Sequence, residues 1–192
     1  YRSLLTGERV ALNFLMRLCG IATHTRNVIR DVHGVRVVDT RKTTPLLRQL
    51  ERNAVVVGGA CNHRFALYDG ILIKDNHITV AGSVSKAIQL ARENAHHLLK
   101  IEIEVENLEQ LHEALDAKAD VIMLDNMTDE QLIEAIKIND GRALLEASGN
   151  MNRERIMRIQ SFGIDVISMG GLIHQATWAD ISMRISKDTT IK

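Results

Sequence analysis

Acidic side chains recur at every second position of the stretch Lys100–Glu106, and another acid, Asp125, follows the next apolar run. Alternation with a period of two predicts a β-strand that carries a row of carboxylates on one face. Carboxylates on one face repel each other unless cations or a metal ion lie opposite. Because Glu104 and Asp125 belong to successive strands, they predict a site for a metal-bound or polyhydroxyl ligand. A solvated edge strand is the alternative.

Other side chains that could do chemistry also come directly after predicted strands. They are Arg41 and Lys42, His63 and Arg64, Lys74, Glu104, Asp125, Ser148 and Gly149, and Gly170 and Gly171. Cations beside carboxylates and glycine-bearing turns predict an anionic, phosphorylated ligand, because the cations neutralise its charge and the turns expose backbone N–H groups to phosphate. The carboxylates are suited to sugar hydroxyls or to Mg²⁺ held through water. Within the acidic triplet Glu104 is favoured, and Glu102 and Glu106 are expected to serve the fold or the rim.

Each of these features has a plainer interpretation when it is taken alone. Thr40-Arg41-Lys42 is also typical of a solvated loop, Gly170-Gly171 of an ordinary turn, and His63 of a structural histidine. Cys61 is interpreted as an inert small residue, since no Cys/His pair suited to nucleophilic catalysis is found. No spacing of His, Cys and acids fits a zinc site. The shared position at successive strand ends favours the functional interpretation.

Short apolar runs alternate with helical periodicities along the chain. The seven predicted strands are Val35–Asp39, Ala54–Val57, Ile71–Ile73, Lys100–Glu106, Val121–Leu124, Ala143–Ala147 and Asp165–Met169. Gly20 is expected to break the first helical stretch, Thr44-Pro45 to begin a short helix, and Gln175–Ile185 to form the last one. Short connections between strands and helices predict a parallel sheet.

The shortness of the strands and the reactive groups at their carboxyl ends favour an α/β barrel of the TIM type, with about seven βα units, over an open doubly wound sheet. No G-x-G-x-x-G follows the first strand, so the dinucleotide fingerprint is absent. We expect residues 1–34 to be a helical lead-in from a preceding domain and residues 35–192 to form the catalytic barrel.

The composition argues against several classes of function. Acidic and basic residues number 24 each, so no net charge favours nucleic acid or an anionic membrane. No apolar run approaches the roughly 18 residues of a membrane span, and no secretory signal is found. Cys19 and Cys61 are too few for a disulfide framework, which predicts a reducing, cytoplasmic location. The first residue is Tyr1 rather than Met, and we expect a further domain upstream.

Seven phrases of the sequence resemble those of the quinolinate phosphoribosyltransferases, the family also called decarboxylating nicotinate-nucleotide pyrophosphorylases. They are GERVALNFLMRLCGIAT, VVDTRKTTPLLR, NHRFALYDGILIKDNHI, IEIEVEN, VIMLDNM, LEASGN and ISMGGLIH. They cover nearly the whole chain in order, and DTRKTTP and LYDGILIKDNHI are the most specific of them.

The resemblance implies a reaction of NAD biosynthesis. The ring nitrogen of quinolinate attacks C1 of phosphoribosyl pyrophosphate, pyrophosphate leaves and the 2-carboxylate is lost as CO₂, which gives nicotinate mononucleotide. The resemblance also implies Mg²⁺ as cofactor and a small α/β sandwich domain before the barrel, largely absent from this chain. It further implies a homodimer, or a larger assembly, in which subunits complete each other's sites.

The resemblance assigns roles to matching positions. Arg41, His63 and Arg64 match residues that bind the quinolinate carboxylates, and Arg9 matches an arginine that reaches the site from the neighbouring subunit. Lys42 and Lys74 match lysines near the dicarboxylate and the pyrophosphate, and Glu104 and Asp125 match acids that face the ribose hydroxyls and Mg²⁺. The turns at the 5′-phosphate are matched by Ser148, Gly149, Asn150, Met169, Gly170 and Gly171. His174 matches a histidine near that phosphate, and Thr40 matches a neighbour of the substrate-binding pair. The expected catalytic residues are Lys42, Lys74, Glu104 and Asp125.

Two positions depart from the family's pattern. Asn150 stands where the family usually has a second glycine, and asparagine tolerates the left-handed conformation. Leu46 follows Pro45 where the family commonly has glycine, which affects the geometry of the helix start rather than the chemistry.

Two other functions stay open at this point. One is a related enzyme of the type encoded beside molybdate transporters, which acts on another ribosyl or phosphorylated substrate. The other is an inactive or binding-only domain. The complete dicarboxylate set of Arg9, Arg41, His63 and Arg64 favours quinolinate.

Overall fold

Residues 2–185, which the computed structural model describes, alternate between strands and helices. The strands are β1 (Arg36–Val38), β2 (Ile71–Ile73), β3 (Ile101–Val105), β4 (Val121–Asp125), β5 (Leu144–Ser148) and β6 (Val166–Ser168). The helices are α1 (Arg2–Ile29), α2 (Arg48–Gly58), α3 (Asp75–Ala81), α4 (Val84–Asn94), α5 (Leu108–Asp116), α6 (Asp129–Asn139), α7 (Arg153–Ile159) and α8 (Gly171–His174).

Neighbouring strands pair in parallel, in the order β1-β6-β5-β4-β3-β2. Cys61 extends the sheet beyond β1 through a parallel bridge to Val38. Because β2 is the next strand after Cys61 in the sequence, the two ends of the sheet are consecutive segments, as in an α/β barrel. Within residues 2–185, strand pairing does not join Cys61 to β2, and we call this gap the seam. Arg64 Nη1 donates to Gly70 O at 2.6 Å beside the seam. The expected parallel α/β barrel is therefore confirmed, with six strands.

The strands give the barrel an apolar outer side and an inner side that carries polar side chains. Val105, Leu124, Ala147 and Ile167 are register partners on adjacent strands, and all four are fully buried. Helical side chains such as those of Leu111, Leu132 and Ile156 are also fully buried. Burial of each large aliphatic side chain contributes about 1.5–3 kcal/mol. The helices thus pack on the outward-facing apolar side chains of the strands, and the alternate strand residues point to the barrel axis.

Local capping interactions mark the beginnings of three helices. Ser83, Asn107 and Thr128 accept hydrogen bonds from the backbone N–H groups three residues later. At α6 the Gln131 side chain also accepts the Thr128 N–H, which completes a capping box. None of the helices within residues 2–185 combines the length and the apolar character that a membrane span requires.

The predicted strand Ala54–Val57 is wrong, because this segment forms the second half of α2. The buried positions of α2 include Glu51, Ala54, Val55 and Gly58, which follow helical spacing. Gly58 approaches α1 so closely that an added Cβ would lie 2.6 Å from Thr25 Cβ. Packing against α1 therefore overrides the β-propensity of consecutive valines.

The predicted helix break at Gly20 is also wrong, since α1 continues through this residue. An added Cβ at Gly20 would lie 2.0 Å from Thr177 O. The predicted helix Gln175–Ile185 is wrong as well, because no regular helix follows α8 in the described part of the chain, which ends at residue 185. The backbone after α8 bonds to α1 instead, with Ala179 N donating to Met16 O at 3.0 Å. Gly20 thus permits a close contact between these two segments.

The segment at Pro45 begins a turn rather than a helix. The first helical residue of α2 is Arg48, and Leu46 adopts a positive φ of 67° with its side chain fully exposed. The departure from glycine at residue 46 therefore falls where the backbone favours glycine. The assignment of residues 1–34 to a preceding domain stays a prediction.

Candidate active site

A cavity of about 800 Å³ opens at the carboxyl ends of the strands. The residues that the sequence assigned to the site and that line this cavity are Thr40, Arg41, Lys42, His63, Arg64, Lys74, Glu104, Asp125, Ser148, Gly149, Asn150, Met169, Gly170, Gly171 and His174. Arg9 lies exposed on α1 and does not line the cavity. The structure thus brings together every predicted site residue except Arg9, and their roles as ligands stay predictions.

The charges around the cavity follow the order of the strands. Lysine and arginine side chains come from three segments that adjoin at the seam: the ends of β1 and β2 and the turn after Cys61. Carboxylates come next, at the ends of β3 and β4, and the glycine-bearing turns after β5 and β6 complete the ring. A ligand that fits this order carries carboxylates at one end, hydroxyl groups in the middle and a phosphate at the other end.

Positive charge is concentrated at the seam. The pKa of the Arg64 guanidinium is lowered by burial and then by the nearby positive charge of Arg41. The Lys42 backbone N–H donates to Thr40 Oγ1 at 3.1 Å, which forms a tight turn after β1. Because the charge of Arg41 disfavours that of Arg64, the two side chains form a site that an anion stabilises.

The carboxylates at the ends of β3 and β4 have different partners. Glu104 forms an ion pair with Lys74 at the end of β2. Asp125 Oδ2 accepts a hydrogen bond from Asn126 Nδ2 at 2.7 Å. One acid is therefore paired with a lysine, whereas the other is hydrogen-bonded to an amide.

An added side chain at either glycine turn would come close to a neighbouring turn. Gly149 has a φ of 88°, and an added Cβ would lie 2.2 Å from Asn126 Oδ1. At Gly170 an added Cβ would lie 3.1 Å from both Lys42 Cδ and Thr40 Oγ1. Glycine at these positions therefore allows close contact between the turns that follow β4 and β5, and between the turns that follow β1 and β6.

The floor of the cavity is polar, whereas barrels of this type usually contain branched aliphatic side chains there. His63 Nε2 lies 3.2 Å from Glu102 Oε2 and 3.4 Å from Glu146 Oε2. Oε1 of both glutamates is buried and has no hydrogen-bond partner within residues 2–185. Because buried carboxylates are costly, this arrangement indicates a role in the site.

The protonation of the floor follows from its contacts. Burial alone would lower the pKa of His63, but hydrogen bonds to Glu102 and Glu146 outweigh it and raise the pKa to about 10. Burial also raises the pKa of Glu102. The Arg64 N–H donates to His63 Nδ1 at 2.8 Å, so Nδ1 is an acceptor and the ring proton lies on Nε2. Because Nε2 already carries the ring proton, an additional proton on the cluster is held by the carboxylates of Glu102 and Glu146 that face Nε2.

His63, Glu102 and Glu146 are also close enough to resemble a metal site, since their ligand atoms all lie within 4.8 Å of one another. A metal ion bound to Nε2 would leave Nδ1 protonated and donating a second hydrogen bond. Here Nδ1 accepts the Arg64 N–H instead. The cluster therefore fits a proton-sharing group and does not fit a metal site.

A buried carboxylate supports the loop that carries Arg41 and Lys42. Glu51 is fully buried, and its Oε1 accepts hydrogen bonds from Arg17 Nη2 and Thr44 Oγ1, both at 2.8 Å. Its Oε2 accepts the Thr44 N–H at 2.8 Å. Glu51 thus connects α1 and α2 to the loop after β1.

Several residues of the cavity were missed from the sequence. They are Leu72, Met123, Asn126, Glu146, Met151, Ser168 and Gln175. For Glu146 a signal existed, because the period of two places it on the same face of β5 as Ser148. Glu102, expected to serve the fold or the rim, lies beside His63 for the same reason, two positions from Glu104. No local pattern marks Asn126, whose contacts include Asn150 and Gly149 of another loop.

Comparison with known proteins gives one consistent family. The family model described as quinolinate phosphoribosyl transferase, C-terminal domain, matches residues 21–184. A probable nicotinate-nucleotide pyrophosphorylase (carboxylating) of Bacillus subtilis (strain 168) is 47% identical over 186 residues, which cover 96% of this chain and 64% of that protein. A protein of Synechocystis sp. (strain ATCC 27184 / PCC 6803 / Kazusa) with the same name is 47% identical over 191 residues and covers 97% and 65%.

A solved structure agrees with these sequence relatives. NadC from Streptococcus pyogenes superposes with a TM-score of 0.91 at 50% identity, over 95% of this chain and 65% of that one. This chain therefore spans just under two thirds of the length of the relatives named here. It belongs to the quinolinate phosphoribosyl transferase family and comprises that family's C-terminal domain.

Proposed function

We propose that this chain is the catalytic barrel of a quinolinate phosphoribosyltransferase. The enzyme transfers the phosphoribosyl group from phosphoribosyl pyrophosphate to quinolinate and releases pyrophosphate and CO₂, a pentosyl transfer that yields nicotinate mononucleotide for NAD biosynthesis. The observation that carries the proposal is the order of charges around the cavity: cations at the seam, carboxylates on β3 and β4, and glycine turns after β5 and β6. The two carboxylates of quinolinate, the ribose hydroxyls and the 5′-phosphate follow each other in this order.

Quinolinate fits the cationic third of the cavity. Arg41 and Arg64 can each pair with a carboxylate through two parallel N–H···O bonds, and Lys42 adds a further charge. The raised pKa of His63 favours the protonated cluster, which reduces repulsion between a dianion and the carboxylates beneath it. These contacts would hold the ring nitrogen toward the ribose.

The transfer itself places positive charge on the ribose and negative charge on the leaving group. Glu104 and Asp125 stabilise oxocarbenium character at C1 electrostatically, since they are fixed before the reaction. Lys74 takes up charge on the departing pyrophosphate. Loss of CO₂ then leaves an electron pair at C2 that the quaternised ring nitrogen stabilises, and a proton from water forms the C2–H bond of nicotinate mononucleotide, so the chain need not supply an acid for that step.

Mg²⁺ is part of the proposal, and the residues fit it. Glu104 and Asp125 offer hard oxygen ligands at the ends of adjacent strands, and both line the cavity. A site of one or two carboxylates completed by water and substrate phosphates is what Mg²⁺ prefers. When bound, Mg²⁺ supplies Lewis acidity toward the pyrophosphate oxygens.

A cytoplasmic homodimer with shared sites completes the proposal. Arg9 lies exposed on α1, outside the cavity, which is the placement expected of a residue that serves a second subunit. Cys19 and Cys61 are both free thiols, as a reducing compartment favours.

Two measurements test the proposed activity. Release of CO₂ from quinolinate labelled at the 2-carboxylate is expected only when phosphoribosyl pyrophosphate and Mg²⁺ are present. Phthalate, a non-reactive dicarboxylate, should bind in calorimetry, and Arg64→Ala should weaken it. A folded chain that neither binds phthalate nor releases CO₂ would refute the assignment to quinolinate. Phosphoribosyl transfer to another acceptor would favour a related enzyme instead.

Mixing two inactive variants tests the shared site. Sedimentation should show a dimer, and Arg9→Ala and Lys74→Ala chains should each be inactive alone. Mixed dimers contain one site that lacks both changes, so partial activity should return. Absence of recovery from dimers proven to have mixed would exclude a shared site.

A further inference from the structure

Three polar side chains connect the turn after β4 to the turn after β5. Asn126 Nδ2 donates to Asp125 Oδ2 at 2.7 Å, and Asn150 Nδ2 donates to Asn126 Oδ1 at 3.1 Å. Asn126 and Asn150 both have a positive φ, of 54° and 50°. The hydrogen bonds thus run in one direction, from the β5 turn to the carboxylate at the end of β4.

The two turns are also joined through their backbones. The Asn126 N–H donates to Ser148 O at 3.1 Å. Gly149 packs against Asn126 so closely that an added Cβ would lie 2.2 Å from its Oδ1 and 2.9 Å from its N. Arg155 donates to Gly149 O at 3.1 Å and to Met127 O, one carbonyl in each turn. A displacement of one turn must therefore move the other.

We propose that Asn126 is a positioning residue that couples the carboxylate of Asp125 to the turn Ser148–Asn150. The inference rests on the proposed function, in which that turn binds the 5′-phosphate and Asp125 faces the ribose. A phosphate held at the turn fixes Asn150, Asn150 fixes the Asn126 amide, and this amide holds Asp125 Oδ2. Oδ1 of Asp125 stays available for a ribose hydroxyl. The ribose and its phosphate are therefore recognised as one unit.

Glycine substitutions test this coupling without strain, because glycine adopts positive φ freely. The variants are Asn126→Gly, Asn150→Gly and the double variant, and the probe is ribose 5-phosphate in Mg²⁺, measured by calorimetry. Each single variant should bind the probe roughly five- to tenfold more weakly, the value of one hydrogen bond. The double variant should bind no more weakly than the weaker single variant. Phthalate affinity should stay within about twofold in all three variants, since neither Asn126 nor Asn150 lies among the cations at the seam.

Lys118→Gly is the matched control, since Lys118 also has a positive φ, of 58°, but precedes β4 at the opposite end of the barrel. It should leave both affinities unchanged. Multiplicative losses in the double variant, unchanged ribose 5-phosphate binding in both single variants, or parallel losses for phthalate would each overturn the coupling. Phthalate also separates the quinolinate assignment from the coupling through Asn126. If the unaltered chain binds ribose 5-phosphate but not phthalate, the quinolinate assignment fails, and the ribose 5-phosphate affinities of the variants still test the coupling.

Discussion

Asp39 and Arg52 form an ion pair buried beneath the turn that carries His63 and Arg64. Arg52 Nη1 lies 3.3 Å from Asp39 Oδ1, and neither side chain is more than 5% exposed. Arg52 donates to Arg64 O at 2.8 Å and also to His63 O. Asp39 accepts the His63 N–H at 2.9 Å and Asn62 Nδ2 at 2.6 Å. The two charges thus hold the backbone of two predicted quinolinate-binding residues.

Removal of one charge of this pair should destabilise the protein strongly. Asp39→Asn retains an acceptor for the His63 N–H but leaves Arg52 as an uncompensated buried cation, at a cost of about 3–5 kcal/mol. Urea denaturation measures the loss. Asp116→Asn is the matched control, because Asp116 pairs with Arg142 at 3.6 Å on the surface, and it should cost less than about 1 kcal/mol. Equal losses in the two variants would contradict the assignment.

Alanine should have opposite effects at two glycines of α1. Gly20→Ala places a Cβ 2.0 Å from Thr177 O, and we expect a loss of about 1–3 kcal/mol from overpacking. Gly7→Ala has no atom within 4 Å of its Cβ and should gain about 0.5–1 kcal/mol from helix propensity. Thermal denaturation distinguishes them. A stabilised Gly20→Ala protein would mean that the segment after α8 does not pack on α1.

Leu46→Gly should stabilise the protein. Leu46 has a φ of 67° and a fully exposed side chain, so the substitution relieves a left-handed penalty of about 1–2 kcal/mol. The greater freedom of the unfolded chain offsets about 0.4–1 kcal/mol of this gain. Leu98→Gly is the control, because Leu98 is 77% exposed without a positive φ, and it should destabilise. The free energy of unfolding in urea checks both changes; a loss at residue 46 as large as at residue 98 would refute a left-handed Leu46.

The His63 cluster should make stability depend on pH. The pKa of His63 is raised from 6.5 to about 10 by Glu102 and Glu146, against the opposing effect of burial. Since the folded state holds the proton more tightly, this contribution is complete below pH 6.5 and is lost as the pH rises to about 10. Glu146→Gln removes one carboxylate and should lower the pKa of His63, which NMR of labelled histidine measures.

The destabilisation caused by Glu146→Gln should accordingly be largest below pH 6.5 and should shrink toward pH 10. Glu109→Gln, on the first turn of α5, should leave the pKa of His63 unchanged. A His63 pKa near 6.5 in the unaltered protein would show that the carboxylates do not hold the proton.

Lys74 and Arg64 should differ in the kinetic constant that they control. Lys74→Met removes the cation paired with Glu104 and should lower kcat about 10³-fold, because its charge acts on the transition state. Arg64→Lys keeps a charge but loses the planar fork, so KM for quinolinate should rise while kcat changes less. Lys86→Met, on α4 with Lys86 Nζ 3.1 Å from Gln89 Oε1, should leave both constants unchanged. A normal kcat in Lys74→Met would remove Lys74 from the mechanism.

Short-range patterns were sufficient for the class of fold and for most of the candidate site. The caps at Ser83, Asn107 and Thr128 act over three residues, so the sequence shows them directly. Alternation in β3 and the residues just past each strand are equally local. Since the carboxyl ends of parallel strands share one edge, the residues just past each strand could be predicted to lie together around one cavity.

Contacts between distant segments required the folded chain. Ala54–Val57 is helical because α2 packs on α1 through Gly58, which overrides local propensity. Glu146 faces His63, and Asp39 faces Arg52, across intervals that no local pattern spans. The free energy of a buried charge depends on the partner that the fold places beside it. The residues at strand ends can therefore be predicted from the sequence, whereas the buried ion pairs that hold those residues in place form only when the barrel folds.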